Sequence, residues 1–313
     1  MTPELTKKIK LATKTAGSLK KRLSSCAICP RNCKINRLRG EKGYCGTDKD
    51  MMVYSAFAHH GEEPEISGQG GSGTIFFSGC NLKCIYCQNY KFSHIVAGKK
   101  VSGIDLAKIM LDLQEKGAHN INLVTPTHFL PQILDTLSLA FKGGLNIPIV
   151  YNTSGYEKKE IIKCLEGIVD IYLTDLKYMD SSLAKQYSKA PEYPVFASRS
   201  LLEMARQVAV SLTSEGLLKK GVVIRHLVLP NYIDESKKLL SWIKKNTPKV
   251  LVSVMFQYQP YFKAHLHSQI NRPINYREYI EIKNFVEELG LKGWVQDLNT
   301  KEGLAGPYFK PNI

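Results

Sequence analysis

Three cysteines stand close together in the stretch GTIFFSGCNLKCIYCQNY, which spans residues 73–90. They are Cys80, Cys84 and Cys87, in the spacing C-x3-C-x2-C. Three thiolates on one short loop can converge on one metal centre, and a [4Fe–4S] cluster normally takes four cysteines. A loop with three leaves one iron free to bind a substrate or cofactor. The alternative, three cysteines buried as small hydrophobic side chains, is disfavoured by the polar residues around them.

Four more cysteines lie upstream, in the segment CAICPRNCKINRLRGEKGYC. Their spacing is C-x2-C-x3-C-x11-C, and the proline and glycines among them indicate a loop. A loop with so little apolar content needs a metal to hold it. The short steps favour a second [4Fe–4S] cluster; the alternatives are zinc, which four cysteines bind tetrahedrally, and thiols without metal. The four residues are Cys26, Cys29, Cys33 and Cys45, whereas Cys164 lies in a predicted helix and is expected in the core.

The C-x3-C-x2-C loop resembles that of the radical S-adenosylmethionine (SAM) superfamily, and Tyr86 stands where that family carries an aromatic residue. The resemblance implies that the open iron binds the amino and carboxylate groups of SAM. It implies that the reduced cluster cleaves SAM to methionine and a 5′-deoxyadenosyl radical, which abstracts hydrogen from a substrate. It also implies an electron donor of the flavodoxin or ferredoxin type.

Apolar strands and amphipathic helices alternate from Gly73 onward. Continuous runs such as Val222-Val223-Ile224 are typical of parallel strands that are covered on both faces. Six strand–helix units predict an α/β fold with a partial (β/α)6 barrel, as the resemblance also implies; an eight-stranded barrel lacks the strands. The predicted domains are an N-terminal cysteine-rich extension, residues 1–72, and a radical SAM core barrel, residues 73–313. The predicted strands are 73–78, 121–125, 147–151, 169–175, 222–229 and 250–257.

The predicted helices begin with a basic, weakly amphipathic one over residues 1–23. A capping box at Ser102 and Asp105 opens another, and Asp234 opens a third. Residues 51–72 are predicted to be a Gly-rich connector without regular structure. The remaining predicted helices are 130–142, 156–166, 181–212 and 276–289.

Several predicted strands end in polar residues, and sites in parallel α/β barrels lie at these ends. The second strand ends in Thr125-Pro126-Thr127-His128, where many relatives carry a Gly-Gly-Glu motif that receives the SAM amino group. The third ends in Tyr151-Asn152-Thr153-Ser154-Gly155, which resembles the Asp-Thr-Asn-Gly stretch of glycyl-radical-enzyme activases. From these ends we take Thr125, Asn152 and Ser154 as candidate SAM contacts; Ser154 as a helix N-cap is the alternative.

The fourth strand ends in Asp175-Leu176-Lys177. Residues two apart share one face of a strand, so Asp175 and Lys177 can both face the barrel mouth; the activases carry the same triplet, where it contacts the methionine part of SAM. Arg225 breaks the apolar fifth strand and needs an anion, for which the SAM carboxylate is the candidate. His226 faces the other way and is predicted to be structural. Gln257 and Tyr258 at the sixth strand are further candidates.

The connector contains His59, His60, Glu62 and Glu63, which could line a site. A plain polar turn is the favoured interpretation for each of them. The pair Glu62-Glu63 stays a candidate because it directly precedes the strand that leads to the cysteine loop.

Composition limits the classes of function. The 313 residues suffice for one domain with an appendage, and no apolar run of about 18 residues predicts a membrane span. Eight cysteines in metal-like clusters and a lysine-rich N-terminus lead us to expect a cytoplasmic protein with no export signal. The net charge of +15 comes without a nucleic-acid-binding signature. A solvated, lysine-rich surface therefore explains the charge, and nucleic acid is not an expected partner.

The strand-end residues resemble the pyruvate formate-lyase activating enzyme group most closely. That resemblance implies an activase that abstracts a hydrogen from a glycine of a partner, a glycyl radical enzyme. One departure is that extra cysteines in known activases follow the C-x3-C-x2-C loop, whereas here they precede it. The alternatives are a radical SAM enzyme that modifies a small molecule, a peptide or RNA, and a non-catalytic iron–sulfur or zinc protein that binds a partner.

Overall fold

The computed structural model describes residues 2–298 as a mostly parallel sheet flanked by helices. Apolar β-branched and aromatic runs form its strands, as the sequence predicts. The strands are β1 Met51–His59, β2 Ser72–Phe77, β3 Lys99–Val101, β4 Ile121–Val124, β5 Ile149–Thr153, β6 Ile171–Asp175, β7 Ser211–Leu212, β8 Leu218–Leu227, β9 Leu251–Met255 and β10 Gly293–Val295.

Nine of these strands follow the order β10-β9-β8-β6-β5-β4-β2-β1-β3, and β7 pairs with β8 beside this path. From β2 to β10 the neighbours on the path are parallel, whereas β1 and β3 are antiparallel additions at one end. The two end strands do not pair with each other in the part of the chain that is described, so the sheet is not closed. The predicted α/β class and the six parallel strands are confirmed, and β10 adds a seventh.

The connector predicted for residues 51–72 is wrong. Residues 51–58, MMVYSAFA, are apolar and form β1, which pairs antiparallel with β2 in a register that joins Val53 to Phe77 and His59 to Ser72. The prediction gave too much weight to the polar, Gly-rich half of the segment. That half holds the short helix Pro64–Ser67. The division into domains 1–72 and 73–313 stays a prediction, although β1 and β2 belong to one sheet.

The helices follow the predictions with three corrections. They are α1 Pro3–Lys20, α2 Pro64–Ser67, α3 Tyr90–Ser93, α4 Gly103–Glu115, α5 Leu130–Lys142, α6 Lys159–Lys163, α7 Ser181–Ser188, α8 Tyr193–Gln207, α9 Ile233–Asn246 and α10 Tyr276–Leu289. The predicted helix 181–212 is two helices because Lys189 adopts a left-handed conformation and a proline follows. The predicted helix 156–166 shortens to α6. Asp234 does not cap α9 but lies in its first turn, where the helix dipole favours a carboxylate.

The N-terminal helix α1 packs against α5 through the buried Ala12, Ala16 and Leu19. Its lysine Lys8 binds the carboxylate of Asp170 at 2.6 Å, next to the start of β6. These contacts fasten the basic helix to the flank of the sheet. The N-cap half of the capping box predicted at Ser102 is confirmed, since the Ser102 hydroxyl accepts a hydrogen bond from the Asp105 backbone N–H at 3.2 Å. No helix within residues 2–298 is both long and apolar enough to span a membrane.

One face of the sheet encloses an apolar cluster that α2 fills with Ile66. Val150, Leu173, Val223 and Leu251 contribute to this cluster. Because side chains two apart share a face, the next residues on that face lie nearer the carboxyl ends of the strands. They are Asn152, Asp175, Arg225 and Ser253, and all four line the cavity described below.

Candidate functional site

A cavity of about 480 Å³ lies at the carboxyl ends of the parallel strands. The cysteine loop after β2 closes one side of it, and strand-end residues form its walls. The structure brings together every predicted cofactor-binding residue and the three loop cysteines. Its lining includes Cys80, Cys84, Cys87, Tyr86, Thr125, Asn152, Ser154, Asp175, Lys177 and Arg225.

The cysteine loop starts at a glycine that the packing requires. Gly79 has φ +85°, and a Cβ atom there would lie 2.6 Å from the backbone oxygen of Cys45. The backbone N–H of Leu82 donates to Cys80 Sγ at 3.3 Å, and the Ser188 hydroxyl donates to Cys84 Sγ at 3.1 Å. These donors fix the thiols of the loop against the cavity.

The three loop cysteines are free thiols. Burial raises the pKa of Cys80 and Cys84, although hydrogen bonds and the Lys177 charge oppose it, and burial raises the pKa of Cys87 to about 12. The thiols therefore keep their protons until a metal displaces them. Within residues 2–298 no three His, Cys, Asp or Glu side chains are placed to hold a single metal ion. Three soft donors that face one cavity fit a [4Fe–4S] cluster with one iron open.

Asp175 and Lys177 form an ion pair of 2.7 Å at the end of β6. Their side chains are 24% and 15% exposed, so the pair lines the cavity wall rather than the outer surface. Burial by itself lowers the pKa of Lys177, but the Asp175 charge, together with Cys84, Tyr193 and the hydrogen bond to Asp175, raises that pKa overall, so the amine stays charged. Tyr193, which sequence reasoning missed, donates its hydroxyl to the Ser154 carbonyl at 2.8 Å and so fixes the ends of β5 and β6 together.

Thr125 at the end of β4 has a left-handed backbone with φ 57°. This conformation is strained for a β-branched residue, and such strain is found at functional sites. Its N–H donates to the Asn152 carbonyl at 2.8 Å, which holds the ends of β4 and β5 in line. Thr127 and His128, the other polar residues of this strand end, are buried behind it and do not line the cavity.

Ser154 does not cap a helix, because α6 begins five residues later and its N-cap is Lys158. Its hydroxyl instead lies 3.5 Å from the Asn81 side-chain oxygen, on the cysteine loop. Tyr86 bonds through its hydroxyl to the Tyr178 hydroxyl at 2.6 Å and packs edge-on against the ring of Tyr258. The loop is thus joined to two walls of the cavity.

Arg225 contacts two carboxylates of this chain. Its Nε and Nη2 atoms donate to Glu63 at 2.8 and 2.6 Å, and Nη2 also donates to Glu62. Burial by itself raises the pKa of Glu63, but the Arg225 charge and hydrogen bonds outweigh it and hold the pKa below its ordinary value. The favoured interpretation of Glu62 and Glu63 as a plain turn is therefore wrong, because both line the cavity. The anion that a buried Arg225 requires is present in the chain itself.

The three histidines that the sequence singled out in this part of the fold lie in two places. His59 and His60 line the cavity, and burial lowers the pKa of His59. His226 is buried behind β8, where its ring nitrogens contact the Leu176 carbonyl at 3.0 Å and the Ser236 hydroxyl at 2.9 Å. The structural role predicted for His226 is confirmed.

The four N-terminal cysteines are also free, and none of them lines the cavity. Cys26 and Cys45 are buried, whereas Cys29 and Cys33 are partly exposed. Burial raises the pKa of Cys29. Four free thiols on one loop supply the ligand types of a four-iron cluster or of zinc, but no three of them are placed around a single metal ion in the described structure.

Sequence reasoning missed two residues near the cysteine regions, and one of them, Arg31, joins those regions. Arg31 stacks on Tyr44 with its guanidinium carbon 3.8 Å from the ring centre, and donates to the Asn81 carbonyl at 2.8 Å. Glu157 is fully buried and accepts from Thr127 and Thr153, each at 2.5 Å. Arg31 lies between two cysteines in the sequence. Nothing in its sequence position predicts its hydrogen bond to the Asn81 carbonyl.

Residues 74–243 match the family model described as "Radical SAM superfamily". An uncharacterized protein of Methanocaldococcus jannaschii is 34% identical over 278 residues, which cover 85% of this chain and 75% of that protein. The pyruvate formate-lyase-activating enzyme of Clostridium pasteurianum is 26% identical over 198 residues, 59% of this chain and 75% of that protein.

Two solved structures resemble the chain at low identity. Methylornithine synthase has a TM-score of 0.46 at 13% identity and covers 72% of this chain and 71% of its own. QueE from Escherichia coli has a TM-score of 0.39 at 14% identity and covers 79% of this chain and 94% of its own.

Proposed function

Because the chain belongs to the radical SAM superfamily, whose members are enzymes that use a [4Fe–4S] cluster and SAM, we propose that Cys80, Cys84 and Cys87 hold that cluster in the cavity. The observation that carries the proposal is that these three free thiols line the same cavity as the Asp175–Lys177 pair. With SAM bound, the reduced cluster supplies reductive cleavage to a 5′-deoxyadenosyl radical that abstracts hydrogen from the substrate.

The wall formed by β4, β5 and β6 is our proposed SAM site. Lys177 is a buried cation that can bind the carboxylate of SAM, and Asp175 keeps it charged. Thr125 and Asn152 present polar groups at adjacent strand ends, held in line by the hydrogen bond between their backbones. Tyr86 and its tyrosine neighbours exclude water from the loop side.

Arg225 has a different role in this proposal from the one expected from its sequence. Two carboxylates already occupy the donors on its Nε and Nη2 atoms, so a third anion is held less favourably there than at Lys177. We therefore assign the SAM carboxylate to Lys177 and treat Arg225 as a support for the cavity floor.

The experiment compares Cys84→Ala with Cys164→Ala. Both variants lose one thiol, but Cys164 lies outside the cavity and its thiol donates to the Glu160 carbonyl of its own helical turn. After anaerobic reconstitution with iron and sulfide, 5′-deoxyadenosine formation under dithionite is measured. We expect Cys84→Ala to be inactive and Cys164→Ala to match the unaltered protein. A fully active Cys84→Ala would remove the loop from the chemistry.

Activation of a glycyl radical enzyme is the finer proposal, and the similarity to the activating enzyme of Clostridium pasteurianum supports it. The test is electron paramagnetic resonance of a candidate glycyl radical enzyme mixed with this protein, SAM and reductant under anaerobic conditions. A glycyl doublet is expected with the unaltered protein and not with Cys84→Ala. Modification of a small molecule, a peptide or RNA is the alternative, and it predicts 5′-deoxyadenosine without that doublet.

The N-terminal cysteines are proposed to hold a second [4Fe–4S] cluster, with zinc as the alternative. Its proposed role is to relay electrons from a flavodoxin or ferredoxin to the cavity. Contact between the two regions supports this role, because the Cys45 carbonyl packs against Gly79, the residue before Cys80.

A further inference from the structure

The floor of the cavity holds more negative than positive charge. Glu62 and Glu63 share the single guanidinium of Arg225, and their side chains are only 8% and 5% exposed. Two carboxylates and one guanidinium leave one negative charge uncompensated in a buried place. Such a charge is costly unless a partner of opposite sign approaches it.

The other basic groups on the described cavity wall do not supply that partner. Lys177 is engaged by Asp175 at 2.7 Å. Lys83 points toward the N-terminal cysteine loop, with its Nζ atom 5.6 Å from the Tyr44 ring centre. Burial lowers the pKa of His59, so it is neutral near pH 7, and the ring of the exposed His60 packs beside Gly71. The floor therefore attracts a cation from outside the chain.

Buried acceptor oxygens surround the same floor. Asn122 is fully buried and does not itself line the cavity, but it supports the floor by donating to Glu62 at 2.9 Å. The side-chain oxygens of Gln257 and Gln296, which follow β9 and β10, are buried and without a donor among residues 2–298. Buried polar atoms are nearly always paired in native proteins. Two such acceptors beside two carboxylates match a ligand that brings several N–H donors.

We propose that Glu62, Glu63, Gln257 and Gln296, here named the acceptor floor, bind a cationic nitrogen group of the substrate, as in an alkylguanidine or alkylamine. This inference rests on the proposed function, since it assigns the acceptor floor to the substrate and the β4–β6 wall to SAM. Gln257 and Gln296 stand on the far side of β8 from that wall in the strand order. A planar guanidinium can meet a carboxylate and an amide oxygen at once.

The test titrates anaerobically reconstituted protein, saturated with SAM, with n-butylguanidinium in a calorimeter. Two probes of matched length, n-butanol and butyrate, measure the contribution of the charge. We expect the cation to bind at least about tenfold more tightly than the alcohol, equivalent to 1.4 kcal/mol, and butyrate to bind more weakly than both. Glu62→Gln keeps the shape of the side chain and removes the surplus charge, so it should lose that preference.

Glu215→Gln is the matched control, because it makes the same change of net charge at an exposed position between β7 and β8. Its preference for the cation should equal that of the unaltered protein. If Glu62→Gln does not fold, Gln257→Met removes one acceptor of the floor without touching the ion pairs and should weaken cation binding about fivefold, since one hydrogen bond is worth about 1 kcal/mol.

Equal affinity for the three probes would overturn the proposal, as would unchanged cation affinity in the foldable floor variants. Cation binding that appears only when SAM is left out of the titration would assign the floor to the cofactor and overturn the substrate assignment. Because binding is read without turnover, a protein that binds the cation but never forms 5′-deoxyadenosine would contradict the proposed function alone. One that forms 5′-deoxyadenosine without preferring the cation would contradict the acceptor floor alone.

Discussion

The two cysteine regions differ in what their thiols face. Cys80, Cys84 and Cys87 follow the buried strand β2 and line a cavity, whereas the four N-terminal cysteines lie on a loop outside it. A metal centre with three protein ligands and a cavity has a position open to a ligand, and one with four protein ligands is closed. The region with three cysteines therefore lies beside a cavity in which a further ligand can bind, and the region with four does not line that cavity.

The same two regions are built against one shared segment, residues 154–158. The Asn81 side chain of the cysteine loop donates to the Tyr156 carbonyl at 2.8 Å. Lys158 donates to the Ala27 carbonyl at 2.9 Å, on the N-terminal loop. A substitution in residues 154–158 is therefore expected to affect both cysteine regions. Variants in this segment test whether the two regions depend on one another.

The largest effect is expected from removing single cysteines. Cys84→Ala should abolish 5′-deoxyadenosine formation under dithionite, because it removes a ligand of the centre that faces the cavity. Cys29→Ala should keep that reaction measurable, because a strong reductant bypasses an electron relay, but should lose turnover with a protein electron donor. The measurement is 5′-deoxyadenosine formed per protein with each reductant.

Iron content is the control for these variants. The unaltered protein should bind about eight irons and Cys29→Ala about four, at four irons per cluster. A preparation with about four irons and one zinc would assign zinc to the N-terminal region. Loss of dithionite-driven cleavage in a folded Cys29→Ala with about four irons would contradict the division of roles between the regions.

Much of the fold was readable from local patterns. The apolar runs that became β4, β5, β6, β8 and β9 each carry enough β-branched residues to identify them, and α5 and α10 have the predicted bounds. The cavity residues were readable because chemistry at strand ends is a rule of parallel sheets. Asp175 and Lys177 line the same cavity because residues two apart lie on the same face of a strand.

The rest depended on contacts between distant segments. In the sequence, Glu62 and Glu63 resemble a polar turn. In the structure they directly precede α2 and contact Arg225, which lies 162 residues away from Glu63. Lys189 divides a helical pattern through its backbone conformation rather than its composition. Residues that fix one segment to another, such as Arg31 and Tyr193, show no periodicity that would identify them. Long-range pairing thus limits what a single sequence predicts.

A smaller effect is expected at Glu157, in the shared segment. Burial raises the pKa of Glu157 from 4.5 to about 7, although three hydroxyl donors oppose it. Since the folded-state pKa is the higher one, this group's stabilising contribution is complete below pH 4.5 and is lost as the pH rises through about 7. The free energy of unfolding of the unaltered protein should therefore fall between pH 5 and pH 8. In Glu157→Gln this fall should be smaller, by up to about 3 kcal/mol.

Urea unfolding of both proteins at the two pH values measures this difference. Glu160→Gln is the matched control, because Glu160 lies three residues further on and is exposed. It should keep the pH dependence of the unaltered protein. Equal pH dependence in Glu157→Gln and the unaltered protein would mean that Glu157 titrates in its ordinary range.

The most local effect is expected at Arg31, which joins the two regions directly. Its guanidinium donates to the carbonyls of Asn81 and Ser188 at 2.8 and 3.1 Å, and hydrogen bonds from a charged group contribute about 1.5–3 kcal/mol. Arg31→Lys keeps the charge but not the planar fork, so it should recover only part of what Arg31→Ala loses. Hydrogen exchange of residues 26–45 should speed up in Arg31→Ala, while exchange of the β5 and β6 amides stays unchanged.

Lys34→Ala, an exposed change on the same loop, should leave both regions as they are. If Arg31→Ala and Lys34→Ala exchange alike, Arg31 does not hold the regions together, and the packing of Gly79 on Cys45 and the contacts with residues 154–158 must join them.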